Sequence, residues 1–175
     1  VDDTDEDNWS ISLAEEVDQL MAKLITGGTG FIGAELARML VDRKEEVVLF
    51  DVAPNVVRIK GIEDKVKLVQ GNLSNYSEVF NVVKDHPIEG IYHLGGMLTV
   101  PSNMNPWASF QSNICGTLHV FEAARLLDIG KVVFASSIAT YGLGTTPIIT
   151  DDTLQRPTTM YGAGKLYCEH LGMFY

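Results

Sequence analysis

The feature that most constrains the fold is the glycine-rich stretch Thr26-Gly27-Gly28-Thr29-Gly30-Phe31-Ile32-Gly33. It follows a short apolar run, 22–26, of the kind that forms a buried parallel strand. It precedes residues 34–41, whose apolar positions recur with helical periodicity. The glycines therefore lie on a turn that leads from a strand into a helix.

Each glycine of this turn has a physical role in a phosphate-binding loop. Gly27 permits a tight backbone bend, Gly30 lets the main chain approach a phosphate, and Gly33 lets the helix pack against its strand. The N–H groups at the start of the helix and the positive end of its dipole favour a pyrophosphate. Because similar glycine spacings also occur in ordinary turns, the interpretation depends on the neighbouring sequence.

An acidic residue in the expected place supports a dinucleotide site. The apolar run 47–50 ends in Asp51, about twenty residues beyond the turn, where dinucleotide-binding folds place the acid that binds the adenosine ribose. A carboxylate there would repel a 2′-phosphate, so NAD is favoured over NADP. Arg58 lies near enough in sequence to keep NADP open as an alternative.

The composition indicates one folded domain, residues 21–175. The chain has 175 residues, of which 46% are hydrophobic, enough for one sizeable core. No apolar run approaches the roughly 20 residues of a membrane span and no signal peptide is visible, so we expect a cytoplasmic protein without a membrane partner. Metal binding and disulfides are not expected from the spacing of the cysteines and histidines, which are Cys115, Cys168, His86, His93, His119 and His170.

The net charge of −10 is concentrated at the start of the chain. Residues 1–20 hold eight of the 23 acidic residues and no Lys or Arg, so the remainder, with 15 acids and 13 bases, carries about −2. We interpret residues 1–20 as a solvated or added acidic leader, with an interaction tail as the alternative. The remainder has no basic patch, so nucleic acid is not an expected partner.

Strands and helices alternate along the rest of the chain. Apolar runs predict strands at 22–26, 47–50, 66–70, 90–94 and 131–135, with Ser74 capping the helix after the third and Pro106 starting a long helix after the fourth. This alternation predicts an α/β fold, a Rossmann-type doubly wound parallel sheet in the strand order 3-2-1-4-5. The ligand crevice would lie between strands one and four.

Tyr161 and Lys165 are four residues apart in a helical pattern, so both side chains lie on one face. A half-buried aromatic residue and a solvated charge are the simpler interpretation of that pair. Gly162 and Gly164, which weaken a helix by about 1 kcal/mol each, indicate close approach of a cofactor or another helix. Stabilising a tyrosine phenolate for use at neutral pH takes about 4 kcal/mol, which a lysine and a nicotinamide ring would supply together. Ser137 ends the fifth strand, at the edge of the sheet where ligands bind.

With these motifs together, the chain from about Met21 onward resembles the extended short-chain dehydrogenases/reductases of the NAD-dependent epimerase/dehydratase family. The resemblance implies that Ser137 and Tyr161 are the catalytic pair and that Lys165 binds the ribose and assists Tyr161. It implies a set of cofactor-binding positions: Gly27, Gly30, Phe31, Ile32, Gly33, Asp51, Asn72, Leu73, Leu94, Gly95, Gly96, Asn113, Tyr161 and Lys165. Asn72 departs from the family's usual Asp, and Gly95-Gly96 from a frequent Ala-Ala.

The resemblance also implies a larger whole and a particular chemistry. Family members continue beyond the Tyr-Lys helix into a carboxyl-terminal substrate region, so we expect a chain truncated before that region. We expect an enzyme that transfers hydride between a secondary alcohol and NAD, with Tyr161 as general base. The small-molecule substrate is a nucleotide sugar, as in the sugar epimerases, or an amino or hydroxy acid, as in L-threonine 3-dehydrogenase, which residues 93–99 and 154–162 resemble more.

Two further expectations follow. A non-catalytic NAD-binding or interaction module is the alternative for the chain as it stands. In the family the helix from Pro106 and the Tyr161 helix pair between subunits, so a homodimer is expected.

Overall fold

In the computed structural model, which describes residues 21–144 and 146–175, one sheet is built from five parallel strands. They are β1 (Ala22–Thr26), β2 (Glu46–Asp51), β3 (Lys67–Gln70), β4 (Ile88–His93) and β5 (Val132–Phe134). The spatial order β3-β2-β1-β4-β5 confirms the predicted order. Thr26 lies beside Phe50 on one side and His93 on the other, so the strand order reverses at β1 and opens a crevice towards β4.

The central strands are buried on both faces, as parallel strands between two helical layers must be. Leu24 and Val48 belong to the core on one face of the sheet, whereas Ile25 and Leu49 belong to the core on the other. Because successive side chains of a strand point to opposite faces, the continuous apolar runs of β1 and β2 fill both cores.

In the described part of the chain, six α-helices connect or follow the strands: α1 (Phe31–Asp42), α2 (Tyr76–Lys84), α3 (Thr99–Met104), α4 (Pro106–Ser109), α5 (Gly116–Leu126) and α6 (Met160–Gly172). Short 3₁₀ turns span Val56–Ile59 and Ile138–Thr140. The segment Phe110–Cys115 is π-helical and keeps right-handed helical backbone angles at both ends, so α4 and α5 form one long helix with a wide central turn. This confirms the long helix that begins at Pro106.

The predicted cap of α2 is wrong by one residue. Asn75, not Ser74, is the N-cap, and its side chain accepts a hydrogen bond of 3.1 Å from the Ser77 amide. The side chain of Asn72 accepts from the Ser74 amide at 2.9 Å, so a polar turn delays the start of the helix.

Within residues 21–144 and 146–175, no helix combines the length and apolarity that a membrane span needs. The same residues hold no cluster of three or more His, Cys, Asp or Glu side chains suited to a metal ion. Cys115 and Cys168 are free thiols. The acidic leader, 1–20, lies outside the described residues, and the cytoplasmic location stays a prediction.

Candidate active site

The glycine-rich turn closes so tightly that side chains would not fit. Gly27 has a φ of +65°, and a Cβ there would lie 2.8 Å from the Cα of Gly95. A Cβ on Gly33 would lie 2.3 Å from the carbonyl oxygen of Gly27. Without a side chain at Gly27 the ends of β1 and β4 can come together, and without one at Gly33 the helix α1 can pack against the turn.

The amino terminus of α1 presents positive potential at the same place. Gly30 is the N-cap, and in the described chain no side chain caps this helix and no acidic residue lies in its first turn. Phe31 and Ile32, in that turn, are 85% and 64% exposed. Unpaired N–H groups and the helix dipole favour an anion here.

A cleft of about 390 Å³ lies at the carboxyl edge of the sheet. Eleven of the predicted cofactor-binding residues line it: Gly27, Gly30, Phe31, Ile32, Gly33, Asp51, Asn72, Leu73, Leu94, Gly95 and Gly96. Further lining residues that sequence reasoning missed are Phe50, Val52, Gly71, Met97, Leu98 and Ser112. Most of these follow or precede a predicted residue directly, so strand-end positions were the signal that would have found them.

Asp51 is held in one orientation at the end of β2. Its Oδ2 accepts hydrogen bonds from the main-chain N of Thr29 at 3.0 Å and from the Thr29 hydroxyl at 2.8 Å. Its Oδ1 accepts from the Ala53 amide at 3.2 Å. The predicted ribose acceptor is therefore tied to the glycine-rich turn by a residue that the sequence analysis did not single out.

Asn72 and Leu73 form another wall of the cleft, after β3. The Asn72 amide donates to Glu78 Oε2 at 2.7 Å, which fixes the loop on the start of α2. Leu73 is buried, and its Cδ1 is 2.8 Å from where a Cβ on Gly95 would lie. Leu73 thus fills the space that a Gly95 side chain would need.

Asn113 lies behind the cleft rather than on its lining. Its Oδ1 accepts from the Met97 amide at 2.7 Å, and its Nδ2 donates to the Met97 carbonyl at 2.9 Å. A Cβ on Gly96 would come within 2.8 Å of Asn113 Oδ1. Asn113, in the π-helical segment, therefore holds the loop after β4 and would affect a cofactor through that loop.

His93, at the end of β4, is a buried group that sequence reasoning set aside. Its Nδ1 lies 2.7 Å from Thr26 Oγ1, and its Nε2 lies 2.9 Å from Thr117 Oγ1. Burial, with a smaller effect from the charge of Lys165, lowers the pKa of His93 to about 3. The residue is thus neutral at physiological pH.

The elements that carry Ser137 and Tyr161 are in direct contact. Ser137 follows β5 and caps the Ile138–Thr140 turn, its Oγ accepting from the Ala139 amide at 3.2 Å. A Cβ on Gly162 would lie 2.2 Å from the Ala139 carbonyl oxygen, so the glycine lets α6 reach this turn. A Cβ on Gly164 would lie 3.4 Å from Ile114 of the long helix. The close approaches indicated by these two glycines are therefore to a turn and to a helix.

Lys165 is 6% exposed and lies between β5 and Tyr161. Its Nζ donates to the Ala135 carbonyl at 2.7 Å and lies 4.5 Å from the ring centroid of Phe134. The same nitrogen lies 5.8 Å from the ring centroid of Tyr161. Burial lowers the pKa of Lys165, and Cys168 partly counteracts this. Ser137, Tyr161 and Lys165 are thus grouped around the end of β5, beside the strand that borders the cleft.

The parallel sheet, the reversal of strand order at β1 and the glycine-lined cleft define a Rossmann-type α/β protein. The model of the GDP-mannose 4,6 dehydratase family matches residues 24–175. The chain belongs to the extended short-chain dehydrogenases/reductases of the NAD-dependent epimerase/dehydratase family.

Individual proteins similar to this chain include epimerases and a dehydrogenase. A UDP-glucose 4-epimerase of Lacticaseibacillus casei is 32% identical over 152 residues, which cover 86% of this chain and 46% of the relative. The structure of the Thermus thermophilus UDP-glucose 4-epimerase in complex with NAD has a TM-score of 0.81 at 28% identity, over 89% of this chain and 50% of its own. An L-threonine dehydrogenase from Cupriavidus necator, in its holo form, has a TM-score of 0.79 at 30% identity, over 88% and 50%. The chain spans about half the length of the curated relatives it matches first.

Proposed function

We propose that this chain carries the cofactor cleft and the proton-transfer residues of an NAD-dependent oxidoreductase that acts on a secondary alcohol. One observation carries the proposal. The glycine-lined cleft lies over the ends of β1 and β4, while Ser137, Tyr161 and Lys165 are grouped at the end of the neighbouring β5. A cofactor bound along this edge would extend from one group to the other.

The residues present suit NAD. The uncapped start of α1 offers N–H donors to a pyrophosphate, and Gly27, Gly30 and Gly33 line the cleft beside it. Asp51 would accept a hydrogen bond from an adenosine ribose hydroxyl. The Thermus thermophilus epimerase, solved with NAD, supports the same cofactor for this fold.

The chemistry divides between the cofactor and the chain. NAD, when bound, accepts a hydride from the alcohol carbon and can return it. The Tyr161 oxygen would take the proton of the substrate hydroxyl, and the Ser137 hydroxyl would donate a hydrogen bond to that substrate oxygen. The positive charge of Lys165 would favour a Tyr161 phenolate, and the phenolate would in turn favour the charged Lys165 that burial disfavours.

For the substrate we propose a nucleotide sugar, epimerised without net reduction of NAD. Several of the similar curated proteins are UDP-glucose 4-epimerases. The structural likeness to the Cupriavidus necator enzyme supports the alternative, oxidation of L-threonine. Net NADH formed with L-threonine would favour the alternative, whereas interconversion of UDP-glucose and UDP-galactose without net NADH would favour epimerisation.

The first test is calorimetric titration of the chain with NAD. We expect saturable binding that is lost in Gly30→Val, where the branched side chain would meet the Gly27 carbonyl. Gly130→Val is the matched control, because a Cβ there would meet nothing within 4 Å. A folded wild-type chain that does not bind NAD would contradict the proposal.

A second test separates an enzyme from a binding module that binds NAD without turnover. Tyr161→Phe should abolish turnover and leave NAD affinity within about twofold, since only the reacting oxygen is removed. If wild type binds NAD and turns over neither substrate class, the chain alone is a binding module. Full turnover in Tyr161→Phe would overturn the assignment of Tyr161 as the base.

We also propose a homodimer formed by the outer faces of the long helix and α6. Trp107 and Tyr167 are 67% and 54% exposed, and Phe110 and Leu118 are 39% and 38% exposed. Trp107 stacks on Phe110 with ring centroids 6.0 Å apart. Exposed apolar side chains on packed helices are typical of an interface between subunits.

Sedimentation of the chain tests this assembly. Leu118→Glu should shift a dimer to monomer because it would bury a charge in the interface. Val57→Glu is the control. Val57 is 77% exposed and lies in the turn that follows β2, away from the two helices, so this variant should leave the mass unchanged. A wild-type chain that is monomeric at high concentration would contradict the dimer.

A further inference from the structure

We propose that Thr29 is a specificity-determining residue that acts through Asp51. It would favour a dinucleotide with a free 2′-hydroxyl over one with a 2′-phosphate. The inference rests on the proposed function, because it concerns how the same cleft selects its cofactor. The hydrogen bonds of the Thr29 hydroxyl carry it.

The Thr29 hydroxyl has both an acceptor and a donor as hydrogen-bond partners. Thr29 is 2% exposed, and its Oγ1 donates to Asp51 Oδ2 at 2.8 Å. The same Oγ1 accepts from the Asn55 amide at 3.0 Å. Its single proton is therefore used on Asp51, while one of its lone pairs accepts from the loop that follows β2. The Thr29 main-chain N donates to the same Oδ2 at 3.0 Å, so one residue supplies two donors to one carboxylate oxygen.

These contacts determine how many acceptor positions of the Asp51 carboxylate remain for a ligand. A carboxylate offers about four acceptor positions. The two N–H groups of Thr29 and Ala53 and the Thr29 hydroxyl use three of them. The remaining position can accept a ribose hydroxyl, which brings a proton. A 2′-phosphate brings only further acceptors and negative charge.

The orientation of the Asp51 carboxylate matters as much as its charge for excluding a 2′-phosphate. With donors on both oxygens, the carboxylate cannot rotate away from the cleft without losing hydrogen bonds. In the part of the chain that the structure describes, Asp51 makes no ion pair, so no cation offsets its charge. An oriented, uncompensated carboxylate is a repulsive element against a phosphate at the same place.

The Asn55 contact adds a second restraint on the same preference. The Val56–Ile59 turn follows Asn55 directly and carries Arg58, the nearest cation in the sequence after Asp51. Thr29 anchors the amino-terminal side of this turn through the Asn55 amide. Loss of the hydroxyl would release both the carboxylate and the loop with the cation that a 2′-phosphate would need.

The test is calorimetric measurement of the dissociation constants for NAD and NADP in three forms of the chain. In wild type and in Thr29→Ser, which keeps the hydroxyl, we expect the same preference for NAD. In Thr29→Val, which keeps the branched shape, we expect the ratio of the NADP constant to the NAD constant to fall by about threefold or more. Asp51→Asn, which removes the charge itself, should lower that ratio further.

The ratio separates a specificity role from a structural one. Equal weakening of both cofactors in Thr29→Val, with the ratio unchanged, would overturn the inference. If that variant does not fold by circular dichroism, Thr29→Ala, which also lacks the hydroxyl, decides on the same ratio. A folded wild-type chain that binds neither dinucleotide would instead contradict the proposed function itself.

Discussion

His93 and Thr26 join the ends of β4 and β1 through a hydrogen bond of 2.7 Å whose direction is set by their neighbours. Thr26 Oγ1 already accepts from the amides of Leu94 and Gly95, at 3.2 and 3.1 Å, so its proton goes to His93 Nδ1. His93 Nε2 then carries the ring proton and donates to Thr117, whose hydroxyl donates to the Asn113 carbonyl at 2.6 Å. A second proton on His93 would break this chain of bonds.

The first prediction concerns acid. Burial lowers the pKa of His93 from 6.5 to about 3. Below pH 6.5 the unfolded chain binds a proton on this residue that the folded chain does not bind. The free energy of unfolding therefore decreases, by up to about 1.4 kcal/mol for each unit by which the pH is lowered. His93→Gln should remove this slope between pH 7 and pH 5, measured by urea unfolding. The exposed His170→Gln should keep it, and an equal slope in His93→Gln would contradict the assignment.

The second prediction concerns Gly33. A Cβ there would lie 2.3 Å from the Gly27 carbonyl oxygen, and backbone atoms on both sides cannot move aside cheaply. Gly33→Ala should lower the free energy of unfolding by about 2 kcal/mol or more. In Gly130→Ala, where nothing lies within 4 Å, the change should stay within about 0.5 kcal/mol. A mild effect at Gly33 would mean that α1 can shift away from the turn.

The third prediction concerns Lys165. The pKa of Lys165 is lowered by burial from 10.5, so the unfolded chain holds this proton to higher pH than the folded chain does. As pH rises towards 10.5, the free energy of unfolding of wild type should therefore rise relative to Lys165→Met. Chemical unfolding at pH 7.5 to 10 measures this difference, with the exposed Lys131→Met as control. If the difference in the free energy of unfolding between wild type and Lys165→Met did not change with pH, the lowered pKa of Lys165 would be contradicted.

The fourth prediction concerns Glu169, which ties the segment after Thr140 to α6. Its carboxylate accepts from the Ser136 hydroxyl and from Gln155 Nε2, the latter at 2.8 Å. Glu169→Ala should speed thermolysin cleavage at Leu154, which is 64% exposed, by about fivefold, since local opening would cost less. Glu89→Ala, which removes a surface ion pair with Lys23, should leave the rate unchanged. Equal rates in the two variants would show that this segment is held by other contacts.

Much of the fold followed from local sequence patterns. The apolar runs of β1 and β2 and the glycines at 27, 30 and 33 predicted a strand, a turn and a helix, because side-chain periodicity and backbone freedom are local properties. The cap of α2 was predicted at Ser74 but lies at Asn75, since either side chain suits an N-cap and only the preceding turn decides. Roles of the site residues in binding and catalysis stay predictions.

By itself, the sequence determined the class of fold, its strand order and eleven of the residues that line the cleft at the carboxyl edge of the sheet. Alternating strands and helices with right-handed connections leave few other arrangements. Only the tertiary structure decided that Thr29 orients Asp51, that Asn113 holds Met97 and that His93 bridges Thr26 and Thr117. Those contacts join residues 16 to 67 positions apart, and the direction of each hydrogen bond depends on donors that meet only when the strands are side by side.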